Sequence, residues 1–166
     1  MQVRASTSAR SLTRRRACRG FTLVEMMTVV SIIAILASVA APSFAELAAT
    51  QRVRAAASAL SESLWLARAE ATKRNTNVGF VFVDAQAGWT IPDPAGSATP
   101  LLVQPGFAAL QSTAQRGDGV RFPFNADGRL SSGSGWVQIG DTHAGVYRCV
   151  AVSTTGRATT TKGPCQ

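Results

Sequence analysis

Residues 21–41 read FTLVEMMTVVSIIAILASVAA, an apolar run of twenty-one positions in which Glu25 is the only charged side chain. A helix of that length rises about 30 Å, close to the thickness of a bilayer's hydrocarbon core. A helix that is apolar on every side needs a cover on every side, which a small soluble domain seldom supplies. The segment is therefore read as membrane-spanning. The flank before it carries Arg4, Arg10, Arg14, Arg15, Arg16 and Arg19 and no acid. Cation-rich flanks stay in the cytoplasm, so the remainder of the chain is expected on the opposite side.

Gly20 directly precedes the apolar run and Glu25 lies inside it, a placement that separates this segment from an ordinary secretory signal. Arg19-Gly20-Phe21-Thr22-Leu23-Val24-Glu25 resembles the class III signal of type IV pilins and type II secretion pseudopilins. The resemblance implies that a prepilin peptidase cuts between Gly20 and Phe21 and that the new terminal Phe21 is N-methylated. It also implies that Pro42, just past the run, loosens the helix. A carboxylate in hydrocarbon costs roughly 2.5–3.5 kcal/mol, so Glu25 requires a partner or a purpose. In the resembling proteins that partner is the free amine of residue 21 on a neighbouring subunit, which sets register during filament assembly. Snorkelling to the cytoplasmic interface is the alternative for an isolated chain.

Beyond residue 41 the 166-residue chain leaves about 125 residues, enough for one domain with its own core. The formal charge of +8 invites a nucleic-acid reading, but six of the seventeen basic residues lie in the first twenty positions. Residues 21–166 hold eleven cations against nine acids, so only a local patch could argue for a polyanionic partner. Cys18 falls in the leader. Cys149 and Cys165 fall in the exported part, where a disulfide persists, and are expected to pair. Closing a loop of that size stabilises a fold by about 3 kcal/mol on the chain-entropy account. Two thiols and a distant His143 do not form a four-ligand metal set. No cofactor motif is present, and no nucleophile has a base beside it in sequence. An enzyme is not expected, and His143 is read as an ordinary surface side chain.

Val53, Ala57, Leu60, Leu64, Ala67 and Ala71 recur at alternating spacings of four and three, one apolar stripe on an amphipathic helix over 43–74. Lys73 and Arg74 suit the negative helix end, and Asn75 is the expected stop. From residue 78 the pattern turns to β, with candidate strands at 78–83, 89–91, 101–103, 120–124, 136–139 and 147–152 separated by Gly-, Pro-, Asn- and Ser-rich turns. The expected fold is α+β, a long N-terminal helix packed on a C-terminal antiparallel β domain. Its divisions are a leader over 1–20, a transmembrane or filament-core helix over 21–41, an amphipathic continuation over 42–75 and a periplasmic β-rich part over 76–166.

Leu66-Ala67-Arg68-Ala69-Glu70-Ala71-Thr72-Lys73-Arg74-Asn75, Gly88-Trp89, Phe122-Pro123-Phe124, Gly128 and Gly156-Arg157, in that order, resemble the minor pilins grouped with protein H of type II secretion and with FimT and FimU of type IV pili. The implied function is a structural subunit of a pilus or secretion pseudopilus in the bacterial inner membrane. Its partners are other pilins, the prepilin peptidase and membrane lipid. FimT-like members imply an alternative partner, DNA taken up in natural transformation and held by a basic Gly-Arg-x-Arg tail. Here Gly156-Arg157-Ala158-Thr159 keeps the first Arg and places Thr where the second belongs. Lys162 and Arg148 complete the cations of the tail, which is expected to form a closed loop over 153–162 beneath the Cys149–Cys165 bridge.

Overall fold

The computed structural model describes residues 21–115 and 120–166, so the leader and Gly20 lie outside the described residues. The chain divides into two compact units, 1–40 and 41–166. The described part of the first is helical from Leu23 onward and exposed throughout. This stretch makes helix α1 (Leu23–Arg74) long and apolar enough to cross a membrane. Assigned helical structure continues through position 42.

In the second unit α1 presents its stripe to the sheets. Val53, Ala57, Leu60, Leu64, Ala67 and Ala71 are all fully buried, as their spacing requires, and Ala56 joins them. The helix stops at Asn75, which adopts φ 50°. Asn75 N–H donates to the Thr72 carbonyl and Thr76 N–H to the Ala71 carbonyl, the paired 5→2 and 6→1 bonds of a Schellman stop. Asn tolerates the left-handed conformation better than other non-glycine residues, which explains why the helix ends here.

The β part is built as two antiparallel four-stranded sheets. The first orders β3 (Leu102–Gln104), β2 (Gly88–Ile91), β1 (Val78–Asp84) and β5 (Arg121–Phe124). The second orders β4 (Gln111–Ala114), β6 (Gly135–Asp141), β7 (Val146–Val152) and β8 (Ala158–Lys162). The expected closed loop over 153–162 is corrected by β8, which pairs along β7 from Arg148↔Lys162 to Val152↔Ala158. Gly156 N–H bonds the Ser153 carbonyl and Ser153 N–H the Arg157 carbonyl, making a tight hairpin turn. Strand β4 also lies outside the six expected strands.

Alternation sets which side chains enter the core: Val78, Phe80 and Phe82 from β1, Trp89 and Ile91 from β2, Phe122 and Phe124 from β5, Val137 and Ile139 from β6. Trp89 lies 5.9 Å from Phe82 and 6.2 Å from Phe107, ring to ring. Its indole N–H donates to Ser63 Oγ at 2.9 Å, and Ser63 in turn donates to the Ala59 carbonyl. The two polar groups buried at this helix–sheet seam are therefore satisfied.

Leu60 is fully buried at the middle of the stripe. Leu60→Ala should lower unfolding free energy by about 2–5 kcal/mol, the range for a core leucine. Denaturant unfolding followed by tryptophan fluorescence measures it, and a loss under about 1 kcal/mol would show that the helix does not share the sheets' core.

Candidate functional site

At the start of α1 the chain caps its own helix. Thr22 Oγ1 accepts the Glu25 N–H at 3.2 Å, while the Thr22 carbonyl accepts the Met26 N–H. Thr22 and Glu25 thus occupy the N-cap and N3 positions of a Thr-x-x-Glu cap, a local role for Thr22 that the apolar run concealed. Phe21 is 71% exposed and Glu25 is exposed, with no ion pair to its carboxylate among the described residues. A carboxylate near a helix N-terminus is favoured by the macrodipole. Pro42 lies farther along the same helix.

Several of the sequence motifs scattered along the second unit, those around Arg68, Phe124, Gly128 and Gly156, meet at one end of it. Gly128, with φ 73°, sits where a Cβ would stand 2.9 Å from Thr72 Oγ1 and 3.1 Å from Arg68 Nε. Gly156, with φ 76°, has the Gly128 carbonyl oxygen where its own Cβ would be. Leu130 N–H donates to the Thr154 carbonyl and ties the same two turns together. Only glycine permits both the positive φ and the close approach. The Gly156-Arg157 pair is thus placed by backbone packing, and it brings exposed Arg157 beside the turn that carries exposed Arg129, next to half-buried Arg68. None of these three arginines has an acid within 4 Å among the described residues.

Of the three cations expected together in the tail, the hairpin brings Arg148 and Lys162 side by side and sets Arg157 apart at its turn. Lys162 lies five residues along β8 from Arg157, about 17 Å, with opposite parity. Lys162 and Arg148 instead stand directly opposite each other in β8 and β7. Cys149 and Cys165 form the disulfide, and the Cys165 N–H donates to Gln138 Oε1 at 2.9 Å, so the tail is pinned across β7 to β6.

At the β6–β7 turn, Asp141 is buried yet ionised. Its Oδ1 accepts the N–H groups of His143 and Ala144, and its Oδ2 meets Arg52 of α1 at 3.4 Å. The carboxyl is held below the ordinary range chiefly by the Ala144 N–H, with burial opposing, then by the His143 N–H and Arg52. His143 itself is exposed, and no group of three His, Cys, Asp or Glu capable of holding a metal occurs among the described residues. A second network joins α1 to the β2–β3 loop: Arg74 pairs with Glu70 at 2.7 Å and with Asp93 at 2.9 Å. The hydrogen bond from Arg74, foremost, keeps the Glu70 carboxyl low.

Residues 56–156 match the family model described as "Type II transport protein GspH", and residues 15–41 match "Prokaryotic N-terminal methylation motif". A curated relative, the type II secretion system protein H of Xanthomonas campestris pv. campestris, is 28% identical over 119 residues, 72% of this chain and 70% of that protein. Two crystal structures of the type IV minor pilin FimU of Pseudomonas aeruginosa share the fold. One has TM-score 0.57 at 24% identity, covering 69% of this chain and 90% of that one. The other has TM-score 0.54 at 25% identity, covering 67% and 92%.

A carboxyl whose pKa is depressed by folding contributes stability that is full above its unfolded value and is lost as pH falls through the folded one. Asp141 should therefore add to acid lability below about pH 4. In thermal unfolding between neutral pH and pH 3, Asp141→Asn should start less stable and lose less on acidification. Parallel curves for the two proteins would show that Asp141 carries none of the dependence.

Proposed function

Because this chain belongs to the GspH family and carries the N-terminal methylation motif, we propose that it is a prepilin-type minor subunit of a type II secretion pseudopilus or type IV pilus. In this reading it is cut after Gly20, methylated at Phe21 and built into a filament through its apolar helix. The observation that carries the reading is the physical state of residues 23–41: every one is exposed in the single chain and all are uncharged except Glu25. Such a surface is stable in lipid before assembly and against neighbouring apolar helices after it. Glu25, without an ion pair among the described residues and near the helix start, is the group that a neighbour's Phe21 amine would meet, and Pro42 marks where the helix can loosen. The coupling is electrostatic in a medium of low dielectric, where an unmatched charge is expensive and a matched one gives register.

Mass spectrometry of the membrane-extracted protein should find a chain beginning at N-methylated Phe21. Glu25→Ala removes a charge from hydrocarbon, so membrane insertion should be unchanged or improved while recruitment into filaments falls at least severalfold. A mature chain retaining Arg19, or undiminished assembly of Glu25→Ala, overturns the reading.

One observation favours DNA as a second partner: Arg68, Arg129 and Arg157 converge at the Gly128–Gly156 contact with no acid paired to them among the described residues. A patch of that size would neutralise two or three phosphates, giving weak, salt-sensitive and sequence-independent binding. With the full chain in detergent and short duplex DNA, Arg129→Ala and Arg157→Ala should each lower the salt slope by about one, while Lys162→Ala leaves it unchanged. Equal loss from Lys162→Ala, or no binding at low salt, removes DNA from this end.

A further inference from the structure

Strand β8 closes one edge of its sheet and, among the described residues, pairs with β7 alone. Gly163 N–H bonds the Tyr147 carbonyl and Ser153 N–H the Arg157 carbonyl, so the hydrogen-bonded pairs of this ladder fall on the odd-numbered residues of the strand. By alternation, the N–H and C=O groups of Ala158, Thr160 and Lys162 point away from β7, toward the open edge. From Thr159 to Lys162 the strand is exposed, and its pairing with β7 runs without a bulge. Native sheets blunt such an edge with charge, proline or a bulge. Here Lys162 is the one charge, and it deters a basic strand while favouring an acidic one.

Helix α1 overhangs this edge. The hydroxyls of Ser61 and Thr160 are hydrogen-bonded at 2.7 Å, and Gly128, which touches Gly156, lies against Arg68 and Thr72. The strand therefore runs alongside the helix, with Gly156 toward Thr72 and Lys162 toward Arg54. Trp65 is one turn past Ser61 and about 40° farther round the helix from the buried stripe, and Arg54 is two turns before Ser61 and about 20° farther round in the same sense. Both stand over the space beside the strand, where Trp65 is 54% exposed and Arg54 is exposed. Arg54 and Lys162 mark one end of this row and Arg68 and Arg157 the other, about 21 Å apart along the helix, the length of about six residues of extended chain. None of the four has an acid within 4 Å among the described residues. Of the nearby acids, Asp141 is already held by Arg52, and Glu62 lines the hollow on the other flank of the helix with Leu102 and Gln104. Asp127 is a single exposed acid on the turn that also carries exposed Arg129.

We propose that the open edge of β8, overhung by Trp65, accepts an extended acidic strand from a different protein chain. The incoming backbone continues the sheet through Ala158, Thr160 and Lys162, an apolar side chain at its middle packs against Trp65, and carboxylates toward its two ends meet Arg54 with Lys162 and Arg68 with Arg157. A second copy of this chain is a poor occupant. Antiparallel pairing of β8 with itself brings the Lys162 end of each chain onto the Arg157 end of the other, and parallel pairing sets like ends together. Duplex DNA matches the cations, but phosphate oxygens only accept hydrogen bonds and leave the edge carbonyls without donors. The site lies wholly within the second unit, so it holds whether or not the chain is a filament subunit.

The test is residue-resolved amide exchange by NMR on the full chain in detergent micelles, disulfide intact, with the synthetic peptide Glu-Glu-Thr-Val-Thr-Val-Thr-Glu-Glu as probe. The amides of Thr159 and Thr161 are held by β7 before anything binds, and those of Thr160 and Lys162 are open. With peptide at about ten times its dissociation constant, exchange at Thr160 and Lys162 should slow about tenfold, and at Thr159 and Thr161 less. Arg54→Gln combined with Arg68→Gln should weaken binding about fivefold and Trp65→Ala about tenfold, with exchange in β6 reporting that each variant is folded. No slowing at millimolar peptide, slowing spread evenly over both parities, or unchanged binding by the folded Trp65→Ala variant overturns the proposal. So does equal binding of the peptide with Lys in place of each Glu. Duplex DNA that slows Thr160 and Lys162 where the peptide does not assigns the strip to nucleic acid, and slowing that grows with protein concentration alone assigns it to a second copy; either result overturns the proposal as well.

Discussion

The apolar surface of residues 23–41 has no cover among the described residues, and the other features of the molecule answer to that fact. Nineteen exposed helical positions with one carboxylate form a structure that water does not tolerate. Lipid and other apolar helices are the environments that do. That requirement falls on this stretch alone, because the folded part buries its own apolar surface. The second unit has a core of its own, closed by a helix stripe, two sheets and a disulfide, with buried Trp89 and Ser63 satisfying each other.

Helix α1 meets two different solvents along its length, and its sequence changes accordingly. Up to residue 41 apolar side chains occupy every face; from Val53 to Ala71 one face is buried while charged residues share the rest with exposed Trp65 and Leu66, and small residues such as Ala56, Ala57 and Ala67 allow sheet and helix to approach closely. The ion pair from Arg52 to Asp141 and the Arg74 bridge from Glu70 to Asp93 lie near the two ends of that stripe. Neither stabilises much where it is exposed. Both restrict sliding of the helix along the sheets, because a shift of one turn would separate the charges.

The elements legible from sequence are those with a strong period: the apolar run, the helix stripe with its stop at Asn75, and strands such as β1 and β7 that alternate into the core. Strand β4, Gln-Ser-Thr-Ala, and strand β8, Ala-Thr-Thr-Thr-Lys, carry no such signal because they are polar sheet edges. Their existence depends on neighbours distant in sequence, as with β4 against β6. The same limit governs the surface sites. Glu25 and Phe21 are adjacent to a local motif and can be named from it. The union of Arg157 with Arg129 and Arg68 rests on a glycine contact across 28 residues of chain, Gly128 to Gly156, which no window of sequence contains.

Hairpin register therefore decides what the tail's basic residues can do. Had 153–162 been an irregular loop, Arg157 and Lys162 could have turned toward one ligand. Pairing β8 along β7 fixes them about five residue rises apart with opposite parity, so each must be understood with its tertiary neighbours. The bridge from Cys149 to Cys165 reinforces that separation, because it anchors the chain three residues past Lys162 on the sheet face opposite the helix. Arg157 is left at the turn, where glycine packing holds it beside two other arginines. Lys162 is left at the strand end, against Arg148 and on the side of Arg54. One short basic tail is thus divided into two cationic surfaces at opposite ends of the folded unit, and a ligand large enough to touch both would have to run the length of the β7–β8 hairpin.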